Sequence, residues 1–210
     1  MIALLRYQSA ILLRSHRWIL PVLLYAVLVA AEGSTTLSSG LTWSAAILLP
    51  AVAILTRSML TAEPDAARAV VAAARGPVRA QLATLLVALL GGVVLAAAGT
   101  VFELAVSQHR SVRALAAGPL VAVVCLLVGS AAGALCNPPL LRHAGLAIMS
   151  TIAVVILALA ADISPANAAL RSSGVAGHAA GWPSPVARGA AVLLLVVAWG
   201  ASLLASAYRG

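Results

Sequence analysis

Thirteen arginines, five carboxylates, four histidines, two cysteines and no lysine are the stock from which 210 residues could do chemistry. Without lysine there is no Walker A phosphate loop, no kinase and no Schiff-base enzyme, so this chain does not hydrolyse ATP by the usual route. His16, His109, His143 and His178 never recur three or four residues apart, and neither Cys-x-x-Cys nor His-Glu-x-x-His occurs. No metal site is therefore expected. Gly-x-Ser-x-Gly is absent, and no pair of aspartates shares an apolar run, so no catalytic residue is expected either. Ser130, Ser150, Thr151 and Ser202 lie in apolar runs without a histidine base at matching depth, and read as helix-to-helix hydrogen bonds. Cys125 and Cys136 share one apolar stretch, about 16 Å apart along a helix, too far for a disulfide. What remains is Asp65, Arg68 and Arg75 in one short polar segment, the isolated carboxylate Glu103, and two tryptophans, Trp182 and Trp199, away from the rest.

The elements that carry these residues follow from composition. With 63% hydrophobic residues, 9% charged and a mean hydropathy of +1.09, the chain has more apolar surface than a globule of its size can hide. That excludes a water-soluble enzyme and a disordered chain, and implies an integral membrane protein. The net charge of +8 comes from arginines strung between apolar runs, which points to a membrane surface and away from nucleic acid. A spanning helix needs about 20 apolar residues. The fold class expected is all-α and polytopic, one domain over 1–210. It comprises an interfacial helix over 1–17, spans over 18–38, 41–60, 78–103, 114–136, 140–161 and 185–208, a cytoplasmic helix over 63–76, and an outer loop with a short helix over 162–184. The first span is the weakest, since only fourteen residues separate Arg17 from Glu32. The same stretch imitates a signal peptide with small residues at Val29–Ala31, but is expected to stay.

Six spans put both termini on one side, and the arginines choose the side. Arg6, Arg14, Arg17, Arg57, Arg68, Arg75, Arg79, Arg142 and Arg209 share one face, against Arg110, Arg113, Arg171 and Arg188 on the other. Nine against four places the termini in the cytoplasm of a bacterial cell membrane. On residues 2–17, Arg6, Arg14 and Arg17 fall within a sector of about 80°, with Leu4, Leu5, Ile11 and Leu12 opposite, as in a helix lying in the inner interface.

The segment Thr61–Arg79 has the best-marked ends in the chain. Glu63-Pro64-Asp65 gives an acidic first turn, Ala66–Ala74 favours helix, and Arg75-Gly76-Pro77 gives a basic last turn, a C′ glycine and a stop. Outside, Asp162–Arg188 is punctuated by Pro165, Gly174, Gly177, Gly181, Pro183 and Pro185. It reads as a short helix or re-entrant segment over the exit of a pathway, or as a plain loop. Glu103 is expected either to line a pathway or to cap its helix at the interface. Trp199 stands in mid-span, where it would meet substrate or pack. Gly129-Ser130-Ala131-Ala132-Gly133 and Gly91-Gly92 are small-residue faces for close helix packing within one subunit.

Taken in order, these pieces resemble the ABC-2 type permeases of ATP-binding-cassette exporters: an amphipathic inner helix, two spans, a cytoplasmic helix ending in a proline turn, three more spans with a tight hairpin at Asn137–Arg142, an ornamented outer loop and a final span. The likeness covers the whole chain and is carried most by Ala66–Leu82, which looks like the family's coupling segment and the restart of the third span. The resemblance implies a permease subunit that needs no cofactor of its own. It would pair with a second permease, identical or paralogous, and dock a separate cassette ATPase that holds ATP and Mg. Asp65, Arg68 and Arg75 would then be coupling residues, and Glu103, Trp182 and Trp199 would belong to the pathway or its outer lid. With no charge expected at membrane depth, the cargo would be apolar or amphipathic. The absence of any catalytic or ion-coupling constellation fits a second reading equally: a non-transporting membrane protein acting in immunity, as a scaffold or as an accessory subunit.

Overall fold

The computed structural model describes residues 2–32, 36–109, 111–136, 144–172 and 182–209, without the side chains of Asp65, Arg68, Ala144 and Arg209. These residues form α1 (Ile2–Ser15), α2 (Ile19–Ala30), α3 (Leu37–Leu60), α4 (Asp65–Arg75), α5 (Pro77–Val106), α6 (Val112–Leu135), α7 (Ala144–Ala160), α8 (Pro165–Ser172) and α9 (Pro185–Arg209). No strand occurs among them. An isolated bridge joins Thr36 to His109, and the Leu37 amide donates to the His109 carbonyl at 3.2 Å. The protein is an all-helical membrane protein. The helices α3, α5, α6 and α9 are each long and apolar enough to cross a bilayer, and there are up to six spans if the bent pairs α1–α2 and α7–α8 each count as one. The hairpin at Asn137–Arg142 and residues 173–181 of the long loop lie outside the described residues.

Several bounds differ from those expected from sequence. The helix opening after Arg17 runs only from Ile19 to Ala30 and stops short of residue 38, where Glu32 interrupts the apolar run. By contrast α5 extends past both 78 and 103, from Pro77 at its first turn to Val106, 30 residues or about 45 Å. Between α1 and α2 the chain bends by 71°. His16 adopts φ +54 there, a left-handed conformation unusual for a residue with a Cβ, and its Nδ1 lies 2.8 Å from the Arg14 carbonyl.

The bundle is built around α3 and α6, which make its most extensive helix contact. In their spanning windows 72% of α3 and 67% of α6 is buried, against 33% of α5 and 17% of α9, so the first two are central and the others peripheral. Small residues allow the approach. A Cβ on Gly129 would stand 2.5 Å from the Leu49 carbonyl oxygen, and one on Gly133 would stand 2.9 Å from that of Ala53. The small-residue face of α6 therefore meets α3 of the same chain. On the peripheral helices the pattern is inverted. In α9, Ala187, Ala191, Ala198 and Ser202 are buried while Val192, Leu193, Val196 and Val197 are exposed, as expected where the surroundings are as apolar as leucine.

Substituting Gly129→Val should force α3 and α6 apart and cost about 3 kcal/mol of stability. Gly200, which has nothing within 4 Å of an added Cβ, should accept alanine without loss. Thermal unfolding of the two variants in detergent compares them directly.

Candidate functional site

The helix α4 stands apart from the bundle. It follows Pro64, carries an acid in its first turn and Arg75 in its last, and contacts α5 alone among the helices to any extent. Gly76 ends it with φ +86, a backbone that side chains rarely adopt, while its amide closes the last turn on the Ala72 carbonyl at 2.8 Å. Pro77 then opens α5, so the chain reverses within two residues. One side of α4 (Ala67, Val71 and Ala72) is half-buried, and the other (Ala66, Ala69, Val70 and Ala73) is exposed. That exposed set follows the i, i+3, i+4, i+7 spacing of a helical stripe, with Val70 at 69% exposure at its centre. Arg75 and Arg79 are also exposed. The side chains of Asp65 and Arg68 lie outside the described residues.

A hydrogen-bonded clasp anchors the chain immediately before α4. Glu63, buried although ionisable, accepts from the Tyr7 hydroxyl at 3.1 Å and from the Gln8 side-chain amide at 3.3 Å. Gln8 is 1% exposed, so this carboxylate satisfies a donor that water cannot reach. Burial first, then the hydrogen bond and charge of Glu63, push the Tyr7 phenol above its ordinary range. Two residues earlier, Arg17 Nη1 donates to the Thr61 carbonyl at 2.8 Å. Thus α1, whose Leu5 and Leu12 pack on Met59, Val87 and Ala88, is tied to the elbow between α3 and α4. Composition and spacing gave no indication of Tyr7, Gln8, Glu63 or Thr61 as a unit. The available signal was Gln8 itself, a polar residue on the apolar side of the α1 helix.

Glu103, Trp182 and Trp199 are not brought together. Trp199 Nε1 donates to Ser130 Oγ at 3.2 Å, and its ring packs beside Leu60, Leu85 and Ala134. Gln81 Nε2 donates to Ser202 Oγ at 3.0 Å, so two polar bonds hold α9 to α6 and to α5. Ser150 and Thr151 instead bond back to the Ala147 carbonyl of their own helix. Trp182 is 58% exposed, ahead of α9, whose first turn is capped by Ser184 Oγ accepting from the Ala187 amide at 3.1 Å. Glu103 is 4% exposed and sits near Tyr25, which is equally buried. It is a buried residue one turn from the end of α5. The short helix α8 is pinned beside α6 and α9: Asn167 Nδ2 donates to the Ala161 carbonyl at 3.1 Å, Arg171 Nε donates to Asn167 Oδ1 at 3.0 Å, and Arg171 pairs with Asp162. Among the described residues no three His, Cys, Asp or Glu side chains gather as a metal site would need, and Cys125 and Cys136 are buried free thiols.

Compared with family models, with curated proteins and with solved structures, the chain matches none.

Replacing Glu63 by alanine should release α1 from the elbow and leave the Gln8 amide unsatisfied, costing about 2 kcal/mol. Tyr7→Phe, which removes one partly exposed bond, should cost less than about 1 kcal/mol. Amide hydrogen exchange over residues 2–15 should accelerate strongly in the first variant and weakly in the second.

Proposed function

We propose that the chain is the membrane subunit of an ABC-2 type exporter, which moves an apolar or amphipathic substrate outward with energy from a separate cassette ATPase. The observation that carries this reading is α4: a short helix with defined ends, set between two candidate spans among the arginines, held off the bundle and presenting an unpaired Ala/Val stripe. Such a helix fits a groove on a soluble partner. Its rim residues, Asp65, Arg68 and Arg75, would contact that partner, and the positive face around them would lie in the cytoplasm with both termini. ATP and Mg belong to the ATPase, and two permease subunits, alike or paralogous, enclose the pathway. The rigid elbow favours the same reading, because a push on α4 passes without slack into α5 through Gly76-Pro77 and into α1 through Glu63.

On the opposite side, the long loop with Trp182 would cover the exit. The confinement of the arginines of α3, α5, α6 and α9 to the end turns of those helices, together with the exposed aliphatic faces of α7 and α9, favours a cargo that reaches the pathway from the lipid.

The purified chain should show no ATPase activity, and a cassette ATPase should co-purify with it from the native host. Arg68→Glu or Arg75→Glu should lower export at least about tenfold while ATP hydrolysis by the assembled complex persists and membrane insertion is unchanged. The loss corresponds to about 1.4 kcal/mol of coupling. Recovery of no ATPase, or full export in both variants, would move the assignment to a non-transporting membrane protein.

A further inference from the structure

One face of α5 changes character near its end. Gly99, Glu103 and Ser107 follow at intervals of four and so stand above one another on that face, with the Ser107 amide bonded to the Glu103 carbonyl at 3.0 Å. Glu103 is 4% exposed, and its carboxylate makes no hydrogen bond or ion pair. Ser107 is 5% exposed, and its hydroxyl has no partner. At Gly99 an added Cβ would collide with the phenol oxygen of Tyr25, so this glycine lets the hydroxyl lie directly on the α5 backbone one turn below Glu103. Ser44 of α3 lies close to that phenol, and its hydroxyl donates to the Leu41 carbonyl at 3.1 Å. Two helices besides α5 therefore bring buried oxygens toward one isolated carboxylate.

No basic group of the described residues answers it. No basic residue occurs in α2, Arg57 of α3 and Arg79 of α5 lie at the other end of their helices, and Arg113 and His109 are exposed. A carboxylate removed from water without a counter-charge costs several kcal/mol, and a hydroxyl without a partner adds to that. Either a proton kept on the carboxyl or a bound cation relieves that cost. The donors are all oxygen, which selects a hard cation and excludes a thiolate- or imidazole-seeking metal. One carboxylate supplies one negative charge, so a monovalent ion neutralises the site, whereas a divalent ion would leave a net positive charge in a medium of low dielectric. The close packing around Glu103 admits a bare ion and not a drug-sized ammonium compound.

We propose that Glu103, Ser107 and Tyr25, with Ser44 behind, form a binding site for a monovalent alkali cation at the end of the bundle away from the arginine-rich elbow. The site is independent of any ATPase, and the full chain alone suffices to test it, with Na⁺ as the probe. In detergent at constant ionic strength, replacing N-methylglucamine chloride by NaCl should raise the unfolding temperature of the wild-type chain saturably, by about 5 °C. Glu103→Gln should abolish that response, and Ser107→Ala should shift its midpoint to higher Na⁺ by about tenfold. Equilibrium binding of radioactive Na⁺ to the wild-type chain should approach one ion per chain, which tests the site even where the Glu103→Gln variant does not fold. A carboxyl that merely keeps its own proton would give no saturable response and no bound Na⁺ in the wild type. That result, or an equal response in Glu103→Gln, would overturn the proposal.

Discussion

The close approach of α3 and α6 is the contact on which the other helices depend. In hydrocarbon a leucine gains nothing by turning inward, so helices associate through backbone proximity and packing, and that proximity requires small residues at the seam. Gly129 and Gly133 lie against the carbonyls of Leu49 and Ala53, and the seam they make becomes a central pair to which the other helices attach. Every peripheral helix follows from the same constraint. The narrow stripe Pro21, Tyr25 and Val29 turns α2 inward while its leucines at 20, 23, 24 and 28 face out. Polar side chains then do what leucine cannot, as when Trp199 and Ser130 join α9 to the centre.

That constraint also explains where mechanical signals could enter. A helix held by small-residue packing moves as a rigid piece, and α5 is the longest such piece, reaching from the Gly76-Pro77 turn to the buried Glu103. At its first end it is gripped by α4 and α1, and near its other end by Tyr25 of α2. In the proposed exporter a displacement of α4 by a partner would be delivered along α5 and would not be absorbed in a loop. The clasp of Tyr7, Gln8 and Glu63 has the complementary consequence that α1 must travel with the elbow or break two hydrogen bonds.

How much of this was legible in the sequence depended on whether one segment was enough to reveal it. The all-helical membrane texture, the ends of α4 at Pro64 and Gly76, and the sidedness of α1 are local properties of composition and periodicity, and each can be read in a window of a dozen residues. Leu4 is indeed buried and Arg6 and Arg14 exposed, as the 100° spacing requires, whereas Arg17 lies beyond the end of α1 at Ser15. The truncation of α2 at Ala30 was not legible, because whether a helix continues past Glu32 depends on what surrounds that carboxylate. Nor was the burial of Glu103. Three residues from a helix end, it resembles an interfacial cap in the sequence, and only the position of Tyr25 on another helix, with Gly99 to receive it, makes it interior. The clasp joins residues more than fifty positions apart, beyond any local pattern.

Among the described residues two buried carboxylates, Glu63 and Glu103, show opposite solutions to one problem and thereby divide the labour of the bundle. Glu63 is met by two side-chain donors of the chain itself, so its cost is settled internally and the result is rigidity at the elbow. Glu103 makes no hydrogen bond or ion pair, although the Tyr25 phenol and the Ser107 hydroxyl share its end of the bundle. In the proposed site a bound cation supplies its balance. A group satisfied from within fixes a structure, whereas a group satisfied from outside makes the stability of its neighbourhood depend on what is bound. On this ground the elbow is the part of the molecule suited to transmit force, and the Tyr25–Glu103 end is the part suited to respond to its surroundings.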